Sequence, residues 1–335
     1  MSDILVRSNR NMIIENIYRG SVVMIGMEGR IKAFYGDSYK MAYMRSAAKP
    51  IIATALVESG AARAFGISQA ELAVICGSHI GSPEQVEAVL GILDKLDLSE
   101  DDLYLAPDLS LDVKLREQRL IDHVQPRKAF HNCSGKHSAM LAICRHLDWD
   151  IKEYLAKDHP VQQLLLETIA DFCGLAVGDI MLGVDGCGAP VYGMPLYNMA
   201  LCYYNLCNSE QLAGVRREAA RMVLNAMSEY PAMVAGDKHF CSEMIRCTNG
   251  RIIGKLGADG IYCTAEREGG WAMALKIEDG NTAVIPAVVI RAFRQMNTLS
   301  EEEHQYLRHF AVREIKNCRG EHVGETKAAF HMELL

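Results

Sequence analysis

Four short stretches carry residue types that could do covalent chemistry. In "MRSAAKP", residues 44–50, Ser46 and Lys49 stand three positions apart, directly before Pro50. The Pro50 ring would clash with the carbonyl four residues back, which belongs to Ser46, so a helix cannot run through this point from upstream. If the helix begins at Ser46 or Ala47, Pro50 falls in its first turn, where backbone N–H groups lack intrahelical acceptors. Ser46 then stands at a helix N-terminus with Lys49 on the same face, one turn on. A cation is electrostatically misplaced there, which becomes useful if the amine must be neutral. A lysine has to fall from about 10.4 toward neutrality before it can take a serine proton. About one Ser-x-x-Lys arises by chance in a chain of this length, and Ser46 has the plain alternative of an N-cap.

The other stretches raise the chemical reading. "CGSHIGSP", residues 76–83, places Ser78 and His79 among glycines, between helices opened by the capping boxes "SQAE" and "SPEQ". A loop clamped between rigid elements is a good platform for polar groups; its plain alternative is a helix–helix turn. "HNCSGKHSAM", residues 131–140, has Ser134 at an expected helix start with Lys136 and His137 in the first turn. Two cations there call for a compensating anion or a metal-ligand role. "GVDGCGAPVYGMP", residues 183–195, sets Asp185 and Cys187 among glycines and prolines and reads as a tight loop. Asp185 is a natural acceptor for a substrate ammonium, and the glycines allow close backbone approach. Finally, "GKLG", residues 254–257, puts Lys255 on a predicted strand. The order Ser46/Lys49, Ser78, Lys255 echoes the serine β-lactamase set of Ser-x-x-Lys, a mid-chain serine and Lys-Thr-Gly. Ser-Asp-Asn is missing and Leu256 replaces the threonine, which argues against penicillin recognition but leaves Ser–Lys acyl chemistry open.

The elements that must hold these residues fall into a pattern. "SVVMIG", a "MEGR" turn and "IKAFYG" predict a β-hairpin near the start. A helical middle follows, including helices after Ser134, from Pro160 to a stop at Gly174, and over an amphipathic stretch after Asn208. Strands return in "TNGRIIGKLG", read as an Asn-Gly hairpin, "DGIYCTA" and "GWAMALKIEDG". Helices after Pro286 and from the capping box "SEEE" close the chain. The economical reading is one α+β (α/β) domain over 1–335. An antiparallel sheet of about five strands is built from both chain ends, approximately 1–60 plus 235–335, flanked by helices, with a mainly helical lobe, approximately 61–234, inserted between.

Composition narrows the function classes. The 335 residues are half hydrophobic with net charge −7, and no Lys/Arg run exceeds two, so a nucleic-acid surface is not expected. No apolar stretch approaches the ~18 residues of a membrane span. The N-terminus shows no export signal, which predicts a cytoplasmic protein. The 11 cysteines are scattered, without CxxC, and read as reduced.

With these residues in view, the chain resembles the bacterial L-asparaginase II family. The resemblance rests on "RSAAKP", "LVESGAA", "ELAVICGSHIGSP", "HNCSGKHSAML", "DHPVQ", "VDGCGAP" and "ALKIEDG", and extends into the C-terminal "GEHVGETKAAF". It implies a fold like glutaminases and serine β-lactamases and hydrolysis of L-asparagine to L-aspartate and ammonia. It also implies roles: Ser46 as nucleophile, Lys49 as its base, Ser78 and Lys255 as a second Ser–Lys pair. Arg45, His79, His137, Asp185 and Gly186 would contact substrate. Cys133, Lys136 and Cys187 would gather and, as in some relatives, hold zinc (Zn2+), with no organic cofactor. The expected partners are a small-molecule amide and a second copy in a homodimer. Rival functions are hydrolysis of glutamine, a modified asparagine or another small amide, and non-catalytic zinc or amino-acid binding. The chain departs from the family at "GDKHFCSEM", residues 236–244, where a Gly-Thr-Gly-Arg-Phe-like segment is usual, and at "KLGADG", where the usual form has Glu before the last Gly.

Overall fold

A computed structural model describes residues 3–212 and 214–335. Its strands, in chain order, are β1 (Asp3–Arg10), β2 (Ile13–Ile25), β3 (Ile31–Tyr35), β4 (Met41–Tyr43), β5 (Met181–Val184) and β6 (Pro190–Pro195). They continue as β7 (Ile252–Gly257), β8 (Ile261–Glu266), β9 (Ala272–Ile277), β10 (Val312–Lys316), β11 (His322–Ala328) and β12 (Glu333–Leu334). The five strands predicted from sequence are neighbours in the antiparallel order β3-β2-β9-β8-β7. The sheet is wider than expected, with nine strands, because β1, β10, β11 and β12 extend it from the two chain ends.

Strand alternation places the core on both faces. Val23, Ile25, Ala272, Ala274 and Cys263 point into the cluster shared with the helical middle. Val22, Met24, Met273, Leu275 and Tyr262 point the other way, against helices Ile285–Met296 and Glu301–Ala311. Every one of these side chains is at most 1% exposed, so the sheet is a fully covered central layer.

The capping boxes at Ser68, Ser82 and Ser300 all form. Pro160 and Pro286 sit in first turns, and Gly174 ends its helix in the left-handed region at φ 67. Two local readings change. Asn249 (φ 49) and Gly250 (φ 73) turn the chain out of helix Phe240–Cys247 into β7, so the Asn-Gly pair is a helix exit and not a hairpin. A second sheet, β4-β6-β5, pairs a strand from the front segment with two from the helical middle. In it, "GVDGCGAPVYGMP" forms a β5–β6 hairpin whose turn is closed by Asp185 N–H donating to Ala189 O at 2.8 Å.

Candidate active site

Ser46 lies in a 3-10 turn, Arg45–Ala48, that passes directly into helix Lys49–Glu58 with Pro50 in its first turn, as the sequence predicts. Arg45 adopts φ 52, a left-handed conformation that a non-glycine residue seldom takes and that tends to persist at functional sites. The loop 76–82, which faces this helix start, is seated against residues 233–234 because Gly77 is a glycine. A Cβ there would stand 2.7 Å from Met233 O and 2.8 Å from Val234 O, and Ser78 N–H donates to Val234 O at 2.9 Å. Gly135 allows a like approach, since a Cβ would lie 2.6 Å from Val74 O. Helix Ser134–His146 therefore packs its start against the helix that leads into the loop.

These approaches bring two lysines onto one hydroxyl. Lys49 Nζ is 2.7 Å from Gly77 O, 3.0 Å from Asn132 O and 3.1 Å from Ser78 Oγ. Lys255 Nζ, from the neighbouring strand β7, is 3.0 Å from the same Ser78 Oγ and 2.7 Å from Leu256 O. Both amines are 1% exposed and, among the described residues, neither meets a carboxylate. Burial pushes both below the usual lysine range, Lys255 to about 8, with Lys136 adding to the lowering of Lys49 and Lys49 to that of Lys255. The Lys49 contacts suit a neutral amine. The two carbonyls accept its two N–H bonds, and its lone pair is left for the Ser78 hydroxyl proton. Ser46 is not among these partners; its hydroxyl makes no hydrogen bond among the described residues and is 9% exposed.

Beside the amines lies a second charged group. Arg45 Nε donates to Asp185 Oδ1 at 2.9 Å, and its guanidinium also pairs with Asp259. Lys136 Nζ donates to Cys187 Sγ at 3.0 Å and lies 3.8 Å from Asp185 Oδ2. The neighbouring Cys187 thiol holds the Cys133 thiol well below its usual range despite burial, with Lys49 and Lys136 adding to the effect. Burial alone would lower Lys136, but the two sulfurs and Asp185 outweigh it and hold the ammonium charged. The compensation that the sequence demanded for Lys136 at a helix start is thus present.

Cys133, Lys136 and Cys187 converge as expected, and two sulfurs with an amine are donors zinc accepts. The amine would first have to lose its proton. Among the described residues, no group of three or more His, Cys, Asp or Glu side chains could hold a metal.

The other expected contacts are buried or already hydrogen-bonded within the protein. His79 is fully buried: Ser134 Oγ donates to Ala129 O at 3.1 Å and so accepts from His79 Nε2 at 2.7 Å, while His79 Nδ1 accepts Gly81 N–H at 3.1 Å. Burial, then Lys49, push this imidazole down to about 3, so it is a neutral brace between loop and helix with no nitrogen left for substrate. Ser134 therefore opens its helix as expected, but its hydroxyl braces His79 and makes no cap hydrogen bond. His137 is buried too, its Nδ1 2.7 Å from Tyr154 OH, which also accepts Tyr104 N–H, while its Nε2 has no hydrogen-bond partner among the described residues. The Gly186 N–H is spent on Asp185 Oδ1 at 2.9 Å. Sequence reasoning missed Asp259, although the "GADG" turn that carries it stands out as a departure.

Solved structures similar in fold include a protein called Mglu in its native form, 14% identical with TM-score 0.48 over 84% of this chain and 64% of that one. The chain thus spans somewhat less than two thirds of Mglu. A β-lactamase from Mycobacterium bovis is 16% identical, TM-score 0.45, over 84% of this chain and 95% of that one. A Bacillus glutaminase is 12% identical, TM-score 0.35, over 87% and 89%. No curated protein sequence matches the chain. The sequence model of the L-asparaginase II family matches residues 6–328, nearly end to end, and the chain belongs to that family.

Proposed function

We propose that the protein hydrolyses the side-chain amide of L-asparagine to L-aspartate and ammonia through an aspartyl ester on Ser46. The observation that carries this reading is the buried Lys49–Ser78–Lys255 chain, in which two amines that meet no carboxylate among the described residues share one hydroxyl. Such amines are bases in waiting, and a binding protein has no need of them. The Arg45–Asp185 pair complements the head group of a free amino acid, with the α-ammonium going to Asp185 and the α-carboxylate to Arg45.

In the first step Ser46 gives its proton to Lys49 and its oxygen attacks the amide carbon. Lys49 is free to take it once Ser78 turns its hydrogen toward Lys255. Backbone N–H groups at the helix start stabilise the oxyanion. Ammonia departs with the proton from Lys49, and water, deprotonated by the same amine, hydrolyses the ester. His79 and His137 position the loop and helix that carry the chain.

Ammonia release from asparagine and glutamine, followed across pH 6–9, tests this. One methylene is worth about 1–3 kcal/mol in a pocket, so asparagine is expected to lead in kcat/KM by about 10- to 200-fold. The amines act deprotonated and their values are lowered. The rate should therefore fall by at least about tenfold per pH unit below about 8, the value for Lys255, with the titration of Lys49 adding to the fall. A preference for glutamine would change the substrate; no ammonia from any small amide would remove the hydrolase.

A second reading makes Ser78 the nucleophile, because it is the hydroxyl both amines touch. Zinc, if bound, would be held by Cys133, Lys136 and Cys187, and would keep the thiols ionised and tie the 185–189 turn to the helix start. Metal analysis of purified protein should then find about one zinc per chain, lost on Cys187→Ala; metal-free protein with full activity would dismiss the ion.

A further inference from the structure

Arg45 divides its guanidinium between two carboxylates of opposite character. Asp185 is the inner one, 11% exposed, on the β5–β6 turn, and holds Nε at 2.9 Å while Lys136 and the Gly186 N–H hold it in place. Asp259 is the outer one, 68% exposed, on the β7–β8 turn, and takes the terminal nitrogen Nη1. Its other tether among the described residues is through its backbone, where Lys276 Nζ donates to Asp259 O at 2.7 Å. Arg45 itself directly precedes Ser46.

We infer that Asp259 is a displaceable stand-in for the substrate's α-carboxylate: it caps the outward nitrogen of Arg45 in the free protein and yields that position when a free α-amino acid amide binds. The inference rests on the amidohydrolase reading for the identity of the ligand. Three physical points support it. A guanidinium beside a reacting serine is better held by a weak local anion than left to swing, and a pair with a partner this exposed contributes little, so its displacement is cheap. The inner pair is the better shielded of the two and stays, keeping a positive charge aimed at the incoming carboxylate. The turn also suits the role: Asp259 at φ 56 and Gly260 at φ 78 form a tight left-handed connection, so the carboxylate is presented by a fixed backbone and only the side chain has to move. The substrate class follows. Amides with a free α-carboxylate displace Asp259, whereas a chain-internal or carboxyl-amidated asparagine cannot replace its charge.

Asp259 competes with substrate and takes no part in bond making, so its removal should act on KM. Asp259→Asn retains the left-handed turn, because asparagine tolerates that conformation, and Asp259→Gly retains it without any acceptor. In both, KM for L-asparagine should fall about two- to fivefold, the range expected from an exposed ion pair, with kcat within about twofold. KM for L-asparaginamide, which lacks the carboxylate, should not change. A KM for L-asparagine that rises or stays level in both variants overturns the inference, as does an equal fall for L-asparaginamide. If no amide is hydrolysed by the wild type, the hydrolase reading fails separately. Calorimetric binding of L-aspartate then decides: tighter binding in Asp259→Asn supports the displaceable carboxylate, and equal or weaker binding overturns it.

Discussion

Ser46→Ala is expected to lower kcat for L-asparagine by at least about 10^4-fold while leaving stability within about 0.5 kcal/mol of wild type. The two halves of this expectation come from one observation. The Ser46 hydroxyl makes no hydrogen bond among the described residues, so its loss leaves no partner stranded. Its neighbours Ala47 and Ala48 are buried and hold the turn without it. A residue that the fold does not need, set one turn before a buried amine, is free to be spent on chemistry. Kinetics and thermal melting of the same preparation check both halves. A variant that keeps a tenth of the wild-type rate removes Ser46 from the reaction.

Lys49→Met should behave differently. It removes the base, worth about 10^2–10^4 in rate, and it also strips the donor from Gly77 O and Asn132 O in the interior. Buried carbonyls without donors cost about 1–3 kcal/mol, partly offset because the amine no longer has to be desolvated. Activity and melting temperature should therefore fall together here, and only activity in Ser46→Ala. If Lys49→Met retained near-normal turnover, Lys255 would have to be the working base.

Much of the site is legible in the sequence because its parts are punctuated by strong local signals. Pro50 marks the helix start at Ser46, the capping boxes at Ser68 and Ser82 bracket the loop of Ser78, and the Ile252-Ile253 pair in "GRIIGKLG" marks the strand of Lys255. The central strands are equally plain, being buried on both faces. The outer strands are not. β10 and the first half of β2 are polar or exposed, as Ile13, Ile14 and Ile17 show, and the only apolar side chains that β1 buries are the adjacent pair Leu5 and Val6, so neither a buried run nor a clean alternation announces them. The Asn249-Gly250 pair misleads because the same left-handed geometry serves a hairpin and a helix exit. Which hydroxyl meets the lysine amines cannot be read from spacing at all. Ser46 is three residues from Lys49, yet Ser78, 29 residues on, is the one in contact, through a close backbone approach that only Gly77 permits. Asp259 is 214 residues from Arg45, and no local pattern reports a pair that distant.

The most direct test is to quench turnover of a slow amide or ester substrate with acid and map the acylated peptide by mass spectrometry. An aspartyl adduct on Ser46, missing in Ser46→Ala and accumulating when Lys49 is replaced after acyl transfer has been forced by an activated ester, is the expected result. The same adduct found on Ser78, with Ser46 unmodified, would contradict the account and move the nucleophile to the hydroxyl between the two lysines.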